Sequence, residues 1–175
     1  MAKVIIYCAI SLDGFLAGPD DDLSFLNPMH IEGEDYGYND LKNRVDTIII
    51  GRKTYDVVCA FGTPFPHADK TAFVLSNSKM GSDEEVFYLN ENEMRQMLVT
   101  RRALEGDQAI FADGGAKLFQ WLIRENLADE LILSVVPVLL GVGTRLFGET
   151  PMNLVLQNTQ SYSTGLVQLT YTFSK

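Results

Sequence analysis

The strongest constraint on this chain is a set of short, largely apolar runs, each closed by a glycine-bearing turn. Val4 to Ile10, Thr47 to Ile50 and Gln108 to Ala112 are followed by Asp13-Gly14, by Gly51 and by Asp113-Gly114-Gly115. Runs of this length without polar alternation predict strands buried on both faces, as in a parallel sheet covered by helices. Parallel neighbours cannot be joined by a hairpin, so a crossover element must lie between them.

The intervening segments supply those crossovers. A helix is expected from about Asp35 to Arg44, with Tyr38, Leu41 and Val45 on one face, and a short one between Gly51 and Gly62. Beyond the Pro64-Phe65-Pro66 corner, strands are expected at Thr71 to Leu75 and Glu85 to Leu89. Asn90 with Glu93 makes a capping box for a helix bearing Met94, Met97, Leu98 and Leu104, closed by Gly106. Its Arg95, Arg101 and Arg102 read as a solvated face. A further helix reaches about Asn126 and buries Leu118, Phe119, Leu122 and Ile123. The tail carries only strands, Glu130 to Val136, Leu154 to Tyr162 and Val167 to Phe173, so the sheet must finish with antiparallel strands. The predicted fold class is α/β: three layers, with helices on both faces of a mixed, mostly parallel sheet of about eight strands, in one domain over residues 1–175.

Composition narrows the function. Lys plus Arg number 14 against 23 Asp plus Glu, a formal charge of −9, so the overall field repels polyanions and no nucleic-acid or anionic-membrane partner is expected. His30 and His67 are the only histidines, and neither lies in a zinc-ligand pattern, so no metal is expected. Cys8 and Cys59 form no C-x-x-C pair and read as free thiols. The longest apolar stretch, Leu131 to Leu140, is interrupted by Ser134 and Pro137 and is too short to span a bilayer. A cytoplasmic location is the expectation. Asp20-Asp21-Asp22 lacks the spaced ligands of a calcium loop and reads as a solvated turn.

Ligands of open α/β sheets bind outside the carboxyl ends of the strands, so the turns there carry the information. Gly51-Arg52-Lys53-Thr54 opens a helix with a glycine, two cations and a hydroxyl, which suits a phosphate. It is not a Walker loop, because the upstream glycine is missing. Ser76, Asn77, Ser78 and Lys79 offer donors and no acid, which favours a 2′-phosphate over a free ribose; the same segment also reads as a plain polar turn. Gly114, Gly115, Ala116, Lys117 and Leu118 start another helix with a backbone that can approach a pyrophosphate. Together these turns predict a dinucleotide site. Gly141-Val142-Gly143 imitates part of a dinucleotide fingerprint but no helix follows, so it reads as a loop bordering a substrate pocket or a subunit contact. Reduction also needs a proton source, and Glu34 and Asp35 at the start of the first helix are the candidates, with helix capping as the other reading of Asp35.

These residues resemble the dihydrofolate reductase-like superfamily. The likeness is carried by Ser11 to Ala17, by Gly51 to Tyr55, by Asp113 to Leu118, and by Asp129 to Leu131 continuing through Pro137 to Gly143 and Leu146-Phe147. Within it, the chain is most similar to the reductase domain of bacterial riboflavin-biosynthesis deaminase-reductases and its stand-alone relatives. The resemblance implies NADPH as cofactor, with Arg52, Lys53 and Thr54 on phosphates, Ser76, Asn77 and Ser78 beside the 2′-phosphate, and Gly114 to Leu118 around the pyrophosphate. It further implies that Ala9, Ile10, Leu16 and Ala17 wall the nicotinamide, that the double glycine carries a cis peptide, and that the protein is a homodimer. An acid sixteen residues before Gly51 is the family's proton-handling position in the folate branch, and Asp35 stands there. Two departures weigh against folate: the Trp-containing loop after the first strand is missing, and Asn39 replaces an aromatic. The implied activity is NADPH-dependent reduction of a small heterocycle, nearest to 5-amino-6-(5-phosphoribosylamino)uracil reductase. Dihydrofolate reduction and a non-catalytic nucleotide-binding module are the alternatives.

Overall fold

The computed structural model describes residues 1–62, 64–83, 86–103 and 108–174. A nine-stranded sheet runs through them in the order β10-β11-β8-β1-β7-β3-β4-β6-β5. Its central members are β1 (Val4–Ser11), β7 (Ala109–Gly114), β3 (Val45–Gly51), β4 (Thr71–Leu75), β6 (Phe87–Leu89) and β8 (Glu130–Val136), all parallel to one another. Antiparallel strands finish both edges: β11 (Val167–Phe173) beside β8 with β10 (Leu154–Ser161) outside it, and β5 (Gly81–Ser82) beside β6.

Side-chain alternation divides the core between two faces. Val4, Ile6, Cys8 and Ile10 of β1 pack with Met94 and Leu98 of α3 (Glu91–Ala103) and with Leu118, Phe119 and Leu122 of α4 (Ala116–Arg124). Ile5 of β1 and Ile48 and Ile50 of β3 face the other way, onto Leu41 of α1 (Tyr38–Arg44) and Tyr55 of α2 (Arg52–Ala60). A strand buried on both sides has no polar face to show, which is why its sequence lacks polar alternation.

Several expectations need correction. The first helix starts at Tyr38, not Asp35, because Tyr36 and Gly37 take left-handed backbone angles, φ 55° and 82°, that a helix cannot contain. β5 is an added strand, and a separate two-stranded ribbon pairs β2 (Phe15–Ala17) with β9 (Thr144–Arg145). Residues this short in pairing leave no periodic signal. The arginines of α3 are not a solvated face: Arg95 pairs with Glu125, Arg101 with Asp46 and Arg102 with Asp129, joining the helix to neighbouring elements. Glu85, Leu104 and Gly106 lie outside the described residues.

Gly143 is fixed by contact as well as by angle. Its φ is 147°, and a Cβ there would sit 2.1 Å from the Ala17 carbonyl oxygen, so the β2–β9 ribbon closes only over a glycine. The loop before it is held by Asp13, whose carboxylate accepts from Ser11 Oγ (2.6 Å), Leu140 N (3.1 Å) and Gly141 N (2.7 Å).

Two measurements check these contacts. The capping box is formed as read, with Glu93 N donating to Asn90 Oδ1 at 3.0 Å and Asn90 N to Glu93 Oε2 at 2.9 Å. Asn90→Ala should therefore cost about 1 kcal/mol and lower the melting temperature by about 2–4 °C; an unchanged melting temperature contradicts the cap. The hydrogen bond from Ser11, followed by the two backbone bonds, lowers the Asp13 carboxyl to about 2. A depressed carboxylate stabilises the fold above its unfolded value of about 3.9 and loses that effect as pH falls through the folded value. The stability gap between wild type and Asp13→Asn in urea should thus be widest near neutrality and shrink as pH falls from about 4 towards 2. A gap independent of pH contradicts the clasp.

Candidate functional site

The parallel register brings the carboxyl ends of β1, β7, β3 and β4 to one rim. At the usual strand spacing, the three gaps between them span about 14 Å. A cavity of about 590 Å³ lies along this rim, within the size range of small-molecule and cofactor sites. Its apolar walls include Leu16, Leu26, Val57, Leu75, Leu118 and Trp121.

The polar floor is built by two helix starts. Gly51 caps α2 and Gly115 caps α4, and neither helix has a side-chain hydrogen bond at its cap. The first N–H groups of both helices are therefore left to a ligand or to water, at the positive ends of the two helix dipoles. The two turns are packed together: a Cβ on Gly51 would lie 3.3 Å from Gly115 N and 3.4 Å from Gly114 O. A Cβ on Gly115 would lie 2.7 Å from Thr54 Oγ1. The Gly114–Gly115 peptide is cis.

Most residues singled out in the sequence meet here. Ala9, Leu16, Ala17, Gly51, Arg52, Lys53, Thr54, Ser76, Asn77 and the whole of Gly114 to Leu118 line the cavity. Ile10 and Ser78 do not. Ile10 is turned into the core against α4, the consequence of strand alternation next to Ala9. Ser78 is exposed and donates its N–H to Ser76 Oγ, closing the turn after β4.

Asp35 also lies outside the cavity wall. It is exposed, and its carboxylate accepts from Gly37 N at 2.9 Å and Asn39 N at 3.0 Å, capping α1. Those backbone bonds hold the carboxyl below its ordinary range. Its remaining link to the cavity is electrostatic, through the Tyr7 hydroxyl, which burial chiefly pushes up to about 12 with Asp35 contributing. Glu34 spends Oε1 on Tyr36 N.

The cations are partly engaged. Arg52 Nε binds Asp56 at 2.8 Å, and Lys53 Nζ binds Asp21 at 2.5 Å, tying the Pro19–Asp21 turn to the start of α2. Lys117, exposed at the start of α4, has no ion pair among the described residues. Lys79 contacts the Tyr88 hydroxyl at 2.8 Å and Asp83 at 3.5 Å.

Sequence reasoning missed four contributors, Glu91, Tyr7, Leu23 and Leu26. Glu91, the first residue of α3, lines the cavity because β6 runs parallel to β4 and delivers it beside Ser76 and Asn77. Neighbouring strand ends were the signal, but only once the strand order is known. Tyr7 reaches the cavity from the strand face opposite Cys8, and Leu23 and Leu26 arrive from a loop with no periodic pattern. Cys8 lines the wall as a buried thiol, its pKa raised to about 12 by burial, so it serves as an apolar filler.

Comparison with known proteins agrees with this architecture. The family model described as the RibD C-terminal domain matches residues 2–168. The Bacillus subtilis (strain 168) protein YwjB is 37% identical over 172 residues, covering 97% of each chain. The crystal structure of a candidate riboflavin biosynthesis protein from Shewanella sp. PV-4 has a TM-score of 0.86 at 30% identity and covers 100% of both chains. Dihydrofolate reductase from Enterococcus faecalis, solved with NADP(H), has a TM-score of 0.64 at 19% identity, covering 99% of this chain and 97% of that one, a likeness of fold. A glycine-lined cleft at the carboxyl rim of such a sheet, together with a match over almost the whole length, means that this chain belongs to the RibD C-terminal domain family and has the fold of dihydrofolate reductase.

Proposed function

We propose that the protein is an NADPH-dependent reductase of a small heterocyclic substrate, most like 5-amino-6-(5-phosphoribosylamino)uracil reductase. The observation that carries this reading is the meeting of two uncapped helix starts, Gly51–Thr54 and Gly115–Leu118, along one cavity. Paired N–H arrays at helix dipoles suit a pyrophosphate, and a rim about four strands wide suits an extended dinucleotide. Membership of a reductase family and the NADP(H) bound in the Enterococcus enzyme of the same fold support it.

In this reading Arg52, Lys53, Thr54 and Lys117 meet phosphates, while Ser76 and Asn77 flank the adenosine end. Ala9, Leu16 and Ala17 form a dry wall that excludes water from the reacting ring. When bound, the dihydronicotinamide supplies the hydride for a substrate carbon. The accompanying proton is drawn from water at the cavity mouth. Asp35 serves chiefly as the cap of α1, because a carboxyl held below its ordinary range stores no proton near neutrality. A homodimer is proposed through β10, the edge strand on which Val155 and Leu156 are each 51% exposed.

Glu91 sharpens the cofactor question, since a carboxylate at the adenosine end opposes a 2′-phosphate and suits a free ribose. The cations of α2 and the donors at Ser76 and Asn77 are taken to outweigh it. NADPH at about a hundred times its Kd should raise the melting temperature by about 5–10 °C, and NADH at the same concentration by clearly less. Arg52→Ala should weaken NADPH about tenfold, whereas Arg95→Ala, whose side chain pairs with Glu125, should leave it unchanged. Equal shifts with both cofactors contradict the NADPH assignment. No substrate-dependent NADPH oxidation across dihydrofolate and pyrimidine ribotides contradicts the reductase reading and leaves a nucleotide-binding module.

Asp35→Asn provides a second check. It should lower the melting temperature while keeping both NADPH affinity and turnover within about twofold, because an amide still accepts one of the two backbone bonds. A loss of turnover of about a hundredfold or more with NADPH affinity intact would return the proton-handling role to Asp35.

A further inference from the structure

His67 is a buried titratable group that the reading above leaves without a task. It is 1% exposed, in the segment between α2 and β4. Its ring lies edge-on to Phe65, at 5.4 Å and 78°, and to Phe111, at 5.8 Å and 86°. Its Nε2 is 3.0 Å from Asp113 Oδ2, and its Nδ1 is buried with no hydrogen-bond partner. A buried polar atom left unpartnered costs stability, and an apolar side chain would fill the space between two phenylalanines without that cost. What histidine supplies and leucine does not is the contact to Asp113.

Asp113 is the second-last residue of β7, directly before the glycine pair, and it lines the cavity. Its side chain is 25% exposed, and His67 is its hydrogen-bond partner among the described residues. One carboxylate oxygen is therefore held by the imidazole, and the other has no hydrogen-bond partner among the described residues. Tyr38 lies near enough for the Asp113 charge to raise its hydroxyl, after burial as the larger cause, to about 12. The cations lining the cavity, Arg52, Lys53 and Lys117, all belong to the turns that open α2 and α4. None of them neutralises Asp113 through an ion pair among the described residues.

We propose that His67 is a positioning residue: its Nε2–H holds one oxygen of Asp113 so that the other accepts an N–H or O–H of the bound substrate. Asp113 thereby selects a heterocycle that bears a hydrogen-bond donor, such as a ring N–H or an exocyclic amine, at the edge facing β7. An ionised carboxylate only accepts, so the imidazole places its proton on Nε2, and Nδ1 keeps its lone pair in the apolar pocket. The substrate part of the proposal rests on the reductase reading; the dyad does not.

The test combines nitrogen NMR with kinetics on the full chain. With only His30 and His67 present, a His30→Gln variant assigns the signals of His67. The Nε2–H tautomer should be seen, and the Nε2 resonance should move in Asp113→Asn. A proton on Nδ1, or a resonance indifferent to Asp113→Asn, overturns the proposal. In turnover of the substrate found by the ribotide and dihydrofolate panel, His67→Leu should raise KM about 10- to 100-fold, the loss expected for a hydrogen bond to a charged group, with NADPH affinity unchanged. His67→Gln, whose amide can donate from nearly the same place, should recover most of that loss. Equal defects in the Leu and Gln variants would mean a packing role and overturn the proposal. A panel without any turnover contradicts the reductase reading instead, and the nitrogen resonances then decide the dyad by themselves.

Discussion

Backbone N–H groups at the starts of α2 and α4 have no side chain to bond, and the contact of Gly51 with Gly115 brings both sets into one cleft. That arrangement follows from parallel pairing. β7 lies between β1 and β3, so the turns that follow β3 and β7 are neighbours in space although more than sixty residues separate them in the chain. The glycines are needed where two backbones meet with no room for a Cβ. An acidic protein of net charge −9 can in this way offer a locally attractive site for an anion, because the attraction comes from fixed dipoles and a few cations within one Debye length.

The layered core makes that rim rigid. Each central strand is covered on both sides, by α1 and α2 on one face and by α3 and α4 on the other. The helices are held by specific devices, the capping box at Asn90 and Glu93 and the arginine pairs of α3 among them. Asp13 plays the equivalent part for the loop that meets the β2–β9 ribbon. A cleft assembled from strand ends thus inherits the stability of the sheet.

Much of this was legible in the sequence, for physical reasons that differ by element. Val4 to Ile10 and Glu130 to Val136 announce doubly buried strands because burial on two faces forbids polar residues. The capping box announces α3 because its two side chains must sit three apart. The glycine turns announce the rim because a close backbone approach excludes other residues. What was not legible depends on tertiary position. Asp35 stands where the family resemblance expects a proton-handling acid, and the bonds its carboxylate accepts from Gly37 and Asn39 depend on the backbone angles of Tyr36 and Gly37, which leave no pattern in the sequence. Glu91 enters the cleft through the β4–β6 pairing, and His67 meets Asp113 across 46 residues of chain, so neither leaves a local pattern.

The electrostatic layout of the cleft separates two tasks. Its cations stand at the helix starts, where a dinucleotide would lie, and Asp113 with His67 stands at the end of β7, where a donor-bearing ring would be read. The most direct measurement is a crystal structure of the protein with NADPH bound. The account predicts density for the pyrophosphate against the N–H groups of Arg52 to Thr54 and Ala116 to Leu118, with the nicotinamide against Ala9, Leu16 and Ala17. A dinucleotide seated elsewhere, or one whose phosphates touch neither helix start, would contradict it.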